Sequence, residues 1–442
     1  LWRSEYHFAI EQRLKCKKLE ADLQTDFGVQ HRAMPKSLKI SLLAVSVALV
    51  LCVFLGVNAH SVRAAGDASQ QGAYNQINVY GEVLQHIQSD YVEVPNIPQV
   101  TNGALRGLLE SLDADSSYLT PADYKAYKED KGGKAQVGIN VSKRYGYATI
   151  ISVVPGSPAD KANLSDGDII EAIGTQDTRD LSLAVIQLLL QGAPGSELHI
   201  AVIRPRKADP EKIILNRVIV SDPPVGETVY DNASILYLKP MELDHDHVQD
   251  VESKLKTMNK AGNKKILLDL RDVSGGDMPE ALRLANFFVN SGTIATLEGQ
   301  KFSKQTFTAD PVKAINTSAP LVVLVNRGTS GPAEVVAAAI QDDKRGQLVG
   351  EKTFGEGSMQ KTFDLPDGGA IILSIAKYAS PSGKQFEDAA VTPGTVVASS
   401  ADLLDTDSDD DATATKQAPK KSAPAADDQL NKALDILKAK AA

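Results

Sequence analysis

Leu321-Val322-Val323-Leu324-Val325 runs into the turn Asn326-Arg327-Gly328-Thr329-Ser330-Gly331, then into Pro332-Ala333-Glu334 and an Ala-rich stretch ending near Ile340. Five β-type residues without a polar interruption read as a strand buried on both faces, as in a parallel sheet. Pro332 directly after the turn opens a helix. A strand that hands Gly, Ser and Thr to a helix N-terminus puts backbone amides and the positive end of the helix dipole where a nucleophile or an oxyanion is favoured. Outward from this stretch the alternation continues. Residues 235–238 and 265–270 read as strands, and 247–259, 279–289 and 333–340 as helices. The fold class is therefore α/β (mixed), with this core spanning residues 221–398.

Upstream the texture changes. Within residues 131–220, short β-type runs at 137–141, 148–153, 169–173, 198–203 and 213–220 are broken by helical stretches at 158–163 and 183–191. Asn163 stands where the first of these helices must stop, and Asn tolerates the left-handed conformation that a stop requires. Residues 77–130 form a helical unit, with Val79, Val83, Leu84 and Ile87, then Leu105, Leu108, Leu109 and Leu112 at helical spacing, and Thr120 capping a helix at Pro121. Residues 399–442 are an acidic, Ala-rich tail read as disordered, with a terminal helix possible from Gln429 to Lys440.

The N-terminus is set apart from the fold. Residues 34–64 have the layout of a signal peptide or membrane anchor: basic Lys36 and Lys39, an apolar run from Ile40 to Val57, then Val62-Arg63-Ala64. Residues 1–33 are read as a non-native extension ahead of it. The expectation is an exported protein, in the periplasm or anchored facing it, that meets a membrane only through residues 40–57 if the leader is uncleaved. Lys plus Arg is 47 against 56 Asp plus Glu, a net charge of −9 over 442 residues. That balance gives no footprint for nucleic acid. The two cysteines, Cys16 and Cys52, supply neither a thiolate metal site nor a disulfide framework.

Two sets of motifs resemble known families. Gly156-Ser157-Pro158-Ala159-Asp160-Lys161-Ala162-Asn163-Leu164, followed by Gly167-Asp168-Ile169-Ile170, is similar to a PDZ domain of envelope proteases. The resemblance implies that Val137-Gly138-Ile139-Asn140 is the loop whose amides take a peptide carboxylate while the peptide adds a strand. The opening stretch, with Val349-Gly350-Glu351-Lys352-Thr353-Phe354-Gly355-Glu356-Gly357-Ser358-Met359-Gln360, resembles the carboxyl-terminal processing peptidases, or tail-specific proteases. Leu268-Asp269-Leu270-Arg271 with Gly275-Gly276, Ala376-Lys377-Tyr378 and Leu112-Asp113-Ala114-Asp115-Ser116 agree as well. The implied architecture is a protease-type α/β core with an inserted β-rich PDZ domain and the N-terminal helical unit.

That family cleaves with a serine nucleophile and a lysine base, with a Gln near the base. Its turn reads G-S-A-S-A-S-E and its later loop T-F-G-K-G-S-V-Q. Laid on this chain without gaps, the nucleophile's place falls on Gly331, the base's on Glu356, and the Gln on Gln360. Ser330, one position early, is the candidate replacement nucleophile with Glu356 as a carboxylate base, although an offset of one residue ordinarily aims a side chain elsewhere. Thr329 and Ser358 read as turn residues, and Lys352 and Lys361 as solvated flanks. Gly275 and Gly276 are the implied oxyanion region. His245-Asp246-His247 is read as a polar helix start with Asp246 as cap rather than a metal site, and no metal or other cofactor is expected.

The function that follows is a family homologue that binds C-terminal tails of proteins, or unfolded envelope proteins, with Ser/Lys proteolysis lost. Another envelope protease is a further candidate partner. The alternative is an active serine endopeptidase with Ser330 as relocated nucleophile.

Overall fold

The computed structural model describes residues 74–129, 135–204, 209–221, 223–387, 389–399 and 427–440. The leader-like stretch and most of the acidic tail lie outside these residues. Among the described residues no helix is long and apolar enough to cross a membrane. The chain divides into two compact units, Leu1–Pro95 and Asn96–Ala442, so the stretch expected as one helical unit spans the division. In the first unit residues 74–90 are a helix.

In the second unit a six-stranded sheet runs in the order Thr395–Val396, Gln347–Gly350, Leu321–Val325, Lys265–Asp269, Ile235–Lys239, Gly226–Tyr230. Its pairs are parallel except the last, where Gly226–Tyr230 returns as an antiparallel edge. Every residue of Lys265–Asp269 and Leu321–Val325 is buried, which is why Leu321–Val325 reads as an unbroken apolar run and Lys265–Asp269 as an apolar centre, Ile266–Leu268, between two charged ends that find partners. Leu236, Leu238, Ile266, Leu268, Val323 and Val325 face the helices His245–Thr257, Met278–Phe288 and Pro332–Asp342. The alternate residues Ile235, Leu267, Val322, Leu324 and Val349 are covered by Ala433, Leu434 and Leu437 of the C-terminal helix Asp428–Ala439. Each buried Leu contributes about 1.5–3 kcal/mol. Arg271 fixes that helix, donating to Asp269 Oδ2 at 2.7 Å and to both Asp427 oxygens at 2.9 Å.

A five-stranded sheet lies beside this core. Ala370–Ala379 pairs with Ser117–Leu119, Thr293–Glu298 and Ser358–Asp364, and Gln305–Thr308 forms one edge. Ser117–Leu119 belongs to a stretch that sequence patterning marks as helical. It is too short for a period to show, and its pairing partner lies some 250 residues away.

The β-rich module is an antiparallel sheet in the order Ile139–Arg144, Tyr147–Val153, Ile169–Ile173, Glu197–Ile203, Glu211–Asn216. Helices Pro158–Lys161 and Leu183–Leu190 pack on its core. Asn163 has φ 54°, the left-handed stop its position predicts. Lys143, buried, donates to Glu110 Oε1 at 2.8 Å and Leu181 O at 2.7 Å. It fastens the edge strand to the helix Ile97–Glu110.

Candidate active site

The turn after Leu321–Val325 is tied down by its own polar groups. Thr329 Oγ1 donates to Leu270 O at 2.7 Å and accepts from Asn326 N at 3.0 Å. Ser330 N donates to Val273 O at 3.0 Å. Gly331 follows as N-cap of Pro332–Asp342 with φ 55° and ψ −116°, a setting that strains any residue carrying a Cβ. A Cβ built on Gly331 meets no atom within 4 Å. The direction a side chain would take is open.

Glu334, in the first turn of the helix, joins this turn to the loop after Gln347–Gly350. Its side chain is fully buried. One oxygen accepts from Gly331 N at 3.1 Å and Glu356 N at 2.7 Å. The other accepts from Gly355 N at 2.9 Å and from Thr353 Oγ1. Four donors fill the acceptor sites of one carboxyl group. Burial pushes its pKa up to about 8 against the pull of those donors. In the sequence Glu334 is only the residue that closes the G-S-A-S-A-S-E pattern. The available signal was a Glu three residues past an N-cap position.

Ser330 Oγ donates to Glu356 Oε2 at 2.5 Å. Burial first, and then the charge of Asp115, push Glu356 up to about 7, while the Ser330 bond pulls it down. Asp115 Oδ2 accepts from Ser358 Oγ at 2.6 Å and Gln360 Nε2 at 3.1 Å, and burial raises its own pKa. Asp115, Glu356 and Glu387 line a cavity of about 340 Å³, walled also by Ser142–Tyr145 and Lys352–Gly355.

The β-rich module touches this site twice. The Arg144 guanidinium lies 4.1 Å above the Phe354 ring and donates to Phe354 O at 2.7 Å. Asn140 Nδ2 donates to Ser152 Oγ at 3.1 Å and Ser274 Oγ at 2.9 Å. Ser274 leads into Gly275 and Gly276. Gly276 has φ 121° and a Cβ there would lie 2.5 Å from Leu243 O, so only glycine fits.

Residues 234–397 match Peptidase family S41, and residues 149–204 match a PDZ domain. The carboxyl-terminal-processing protease of Synechocystis sp. is 30% identical over 319 residues, covering 70% of this chain and 74% of the relative. The chain belongs to the carboxyl-terminal-processing peptidase family. Carboxyl-terminal-processing peptidase 2, chloroplastic, of Arabidopsis thaliana is also 30% identical over 319 residues, covering 68% of this chain. The chain spans only 61% of that relative's length. A solved structure of a photosystem II D1 C-terminal processing protease superposes with TM-score 0.62 at 26% identity, over 71% of this chain and 85% of that one.

Within this family fold, Ser330 and Glu356 meet directly, so the one-residue offset leaves the Ser330 hydroxyl aimed at Glu356 rather than away from it. Gln360 bonds Asp115 and, at 2.6 Å, Ser358 Oγ, not Ser330. Lys361 lies over the Phe363 ring. Gly275 and Gly276 follow Val273, whose carbonyl holds Ser330 N. Val137, Gly138 and Ile139 are buried, and Asn140 faces Ser274 as described. The helix cap needs correcting. The helix begins at His245, so the capping side chain is Asp244, which accepts from His247 N at 2.8 Å, and not Asp246. Among the described residues no group of three or more His, Cys, Asp or Glu is placed to hold a metal ion.

Proposed function

We propose that this protein binds C-terminal tails of unfolded proteins through the module at residues 131–220 and does not perform the Ser/Lys proteolysis of its family. One observation carries the loss of proteolysis. Gly331, which stands at the family's nucleophile position in the motif, has no side chain, and the nearest hydroxyl, Ser330, has 0% exposure. A hydroxyl with no accessible surface meets no substrate carbonyl, and losing groups that act as a unit removes several orders of magnitude of rate. Tail binding is supported by Ile139–Arg144, an edge strand that among the described residues pairs only with Tyr147–Val153. The amides of Val137 and Gly138, just before it, have no acceptor among the described residues. The leader-like residues 34–64 support an envelope location, which fractionation of the native host tests.

The test is turnover of tailed, unfolded substrates by the purified protein, beside Ser330→Ala and the double variant Gly331→Ser/Glu356→Lys. Wild type and Ser330→Ala are expected to be silent. The double variant is expected to cut, roughly a thousandfold or more above them, because the space at Gly331 is open. Cleavage by wild type that Ser330→Ala abolishes overturns the reading. That second reading, Ser330 as nucleophile with Glu356 as base, is favoured by the 2.5 Å contact and by a carboxyl poised near neutrality. It requires the turn to open and predicts a covalent phosphonyl adduct on Ser330. Tail binding itself is judged by peptides with free against amidated C-termini, of which the free form binds tighter.

A further inference from the structure

His247, in the first turn of His245–Thr257, has 9% of its surface exposed. Both of its ring nitrogens have an oxygen at hydrogen-bond distance. Nδ1 is 2.7 Å from Asp244 Oδ1, and Nε2 is 2.9 Å from Pro223 O. An ionised carboxylate and a carbonyl can only accept. A neutral imidazole carries one N–H, so either tautomer leaves a lone pair turned onto one of these oxygens. Little solvent reaches the ring to supply the missing donor. Only the imidazolium, with a proton on each nitrogen, satisfies both neighbours. Asp244 is matched to that state: burial would raise its carboxyl, but the amide, ring and charge of His247 hold it below the usual carboxylate range.

Pro223 gives this contact its consequence. It lies in the connection between Glu211–Asn216, the last strand of the β-rich module, and Gly226–Tyr230, the first strand of the core. We propose that His247 is a pH-operated latch: its doubly protonated ring ties the first turn of His245–Thr257 to the chain joining module and core, and loss of a proton releases that chain. Tail capture by the module is not required for this. Among the described residues, the charged groups on the elements packed against the helix have other partners. Glu280 and Arg283 of Met278–Phe288 engage His245, and Arg283 also engages Glu252. Glu227 of Gly226–Tyr230 holds Lys254, together with Asp250. Lys239 of Ile235–Lys239 lies 3.7 Å from Asp272, and Glu242 is turned to Gly275. Asp246 on the helix and Asp222, one residue before Pro223 in the chain, add negative charge only. The positive end of the helix works against a cation in its first turn, and the Asp244 carboxylate at the cap offsets it. The latch is therefore complete below the ordinary histidine value of about 6.5. It is lost as pH rises through the midpoint of the folded protein.

The test is NMR of the full chain labelled at histidine and proline. Pro223–Pro224 is the only Pro-Pro pair in the sequence. With carbon-13 carbonyl and nitrogen-15 proline, a carbonyl-to-nitrogen correlation therefore reports Pro223 O alone. The His247 ring is assigned by its absence in His247→Gln. Expected are protons on both ring nitrogens at about pH 7 and a midpoint above the ordinary value of about 6.5. The Pro223 carbonyl shift should move with the same midpoint. In His247→Gln it should stay constant between about pH 6 and 9, where no carboxylate of ordinary pKa titrates. Asp244→Asn keeps a capping side chain and removes the charge, so the His247 midpoint should fall. Thermolysin nicking before Ile219 or Val220 should rise severalfold across the wild-type midpoint, while His247→Gln is nicked at the faster rate throughout. A His247 midpoint at or below the ordinary value overturns the proposal, as does a Pro223 carbonyl that ignores the His247 titration. Nicking that changes with pH equally in wild type and His247→Gln also overturns it, because the ring then does not hold the connection.

Discussion

Glu334 and Glu356 stand at the two ends of one hydrogen bond, yet their surroundings differ in kind. Glu334 accepts from four donors, three of them backbone amides with no other partner among the described residues. Glu356 accepts from one hydroxyl, looks into a cavity and faces a second carboxyl, Asp115. Burial raises both pKa values, to about 8 and about 7, but for Glu334 the donors oppose burial while for Glu356 the nearest charge reinforces it. The contrast separates the frame of the site from its reacting positions. The frame, Glu334 with Thr353, Gly355 and the strained elbow at Gly331, is whole. The two positions that the motif register sets against the family's dyad hold a glycine and an acid.

The sharpest way to break this comparison is to remove the frame. Glu334→Ala leaves three amides and the Thr353 hydroxyl without their acceptor in a buried site. Each unmet group costs about 1–3 kcal/mol, so a loss of about 3–5 kcal/mol is expected in denaturant unfolding. Glu334→Gln should recover little of it. Wherever its NH2 points, it meets at least one backbone N–H, and a donor cannot accept. If Glu334→Gln is as stable as wild type, the four contacts do not hold the loop and the frame is something else.

How much of this was legible depends on where the partners lie. Leu321–Val325 and Lys265–Asp269 announced themselves because strands buried on both faces carry an uninterrupted apolar centre, Leu321–Val325 throughout and Ile266–Leu268 in the second. Ser358–Asp364 did not, because as an edge strand it mixes Gln360, Lys361 and Thr362 with Met359 and Phe363 and shows no clean period. The helix Asp428–Ala439 was open in the sequence as a terminal helix at 429–440 within a tail read as disordered, but its docking had no signal, since Arg271 and Asp427 are far apart in the chain. The pairing of Gly331 and Glu356 with the family's dyad positions came from motif register. That Ser330 turns onto Glu356, and that Asp115 arrives beside it from the far side of the PDZ module, are facts of tertiary packing with no local signature.

Glu356→Gln sharpens the comparison with the opposite sign. An acid whose folded pKa lies above its unfolded value, here about 7 against 4.5, holds its proton more tightly when folded. Its penalty is absent below about pH 4.5, grows as pH rises towards 7 and is complete above that. Gln keeps an acceptor for Ser330 and carries no charge. The variant should therefore match wild type near pH 4 and exceed it by about 1–3 kcal/mol at pH 8. A constant difference across that range means Glu356 is not held neutral by its site.

The smallest effect isolates the second cause. Asp115→Asn removes the charge facing Glu356 but leaves an oxygen to accept from Ser358 and Gln360, so the cavity keeps its shape. With burial unchanged and repulsion gone, the Glu356 carboxyl should titrate at a lower pH, by less than the shift burial imposes. Carbon-13 NMR of the Glu356 carboxyl, assigned by its absence in Glu356→Gln, reads this directly. Two carboxyls that interact titrate as a pair, so wild type should show a broadened transition that narrows to a single step in the Asn variant. An upward shift in Asp115→Asn has no electrostatic explanation in this geometry. It would mean that Asp115 acts on Glu356 by orienting Ser358 and Gln360 around the cavity rather than by its charge, and that the frame extends one residue further than the Glu334 contacts define.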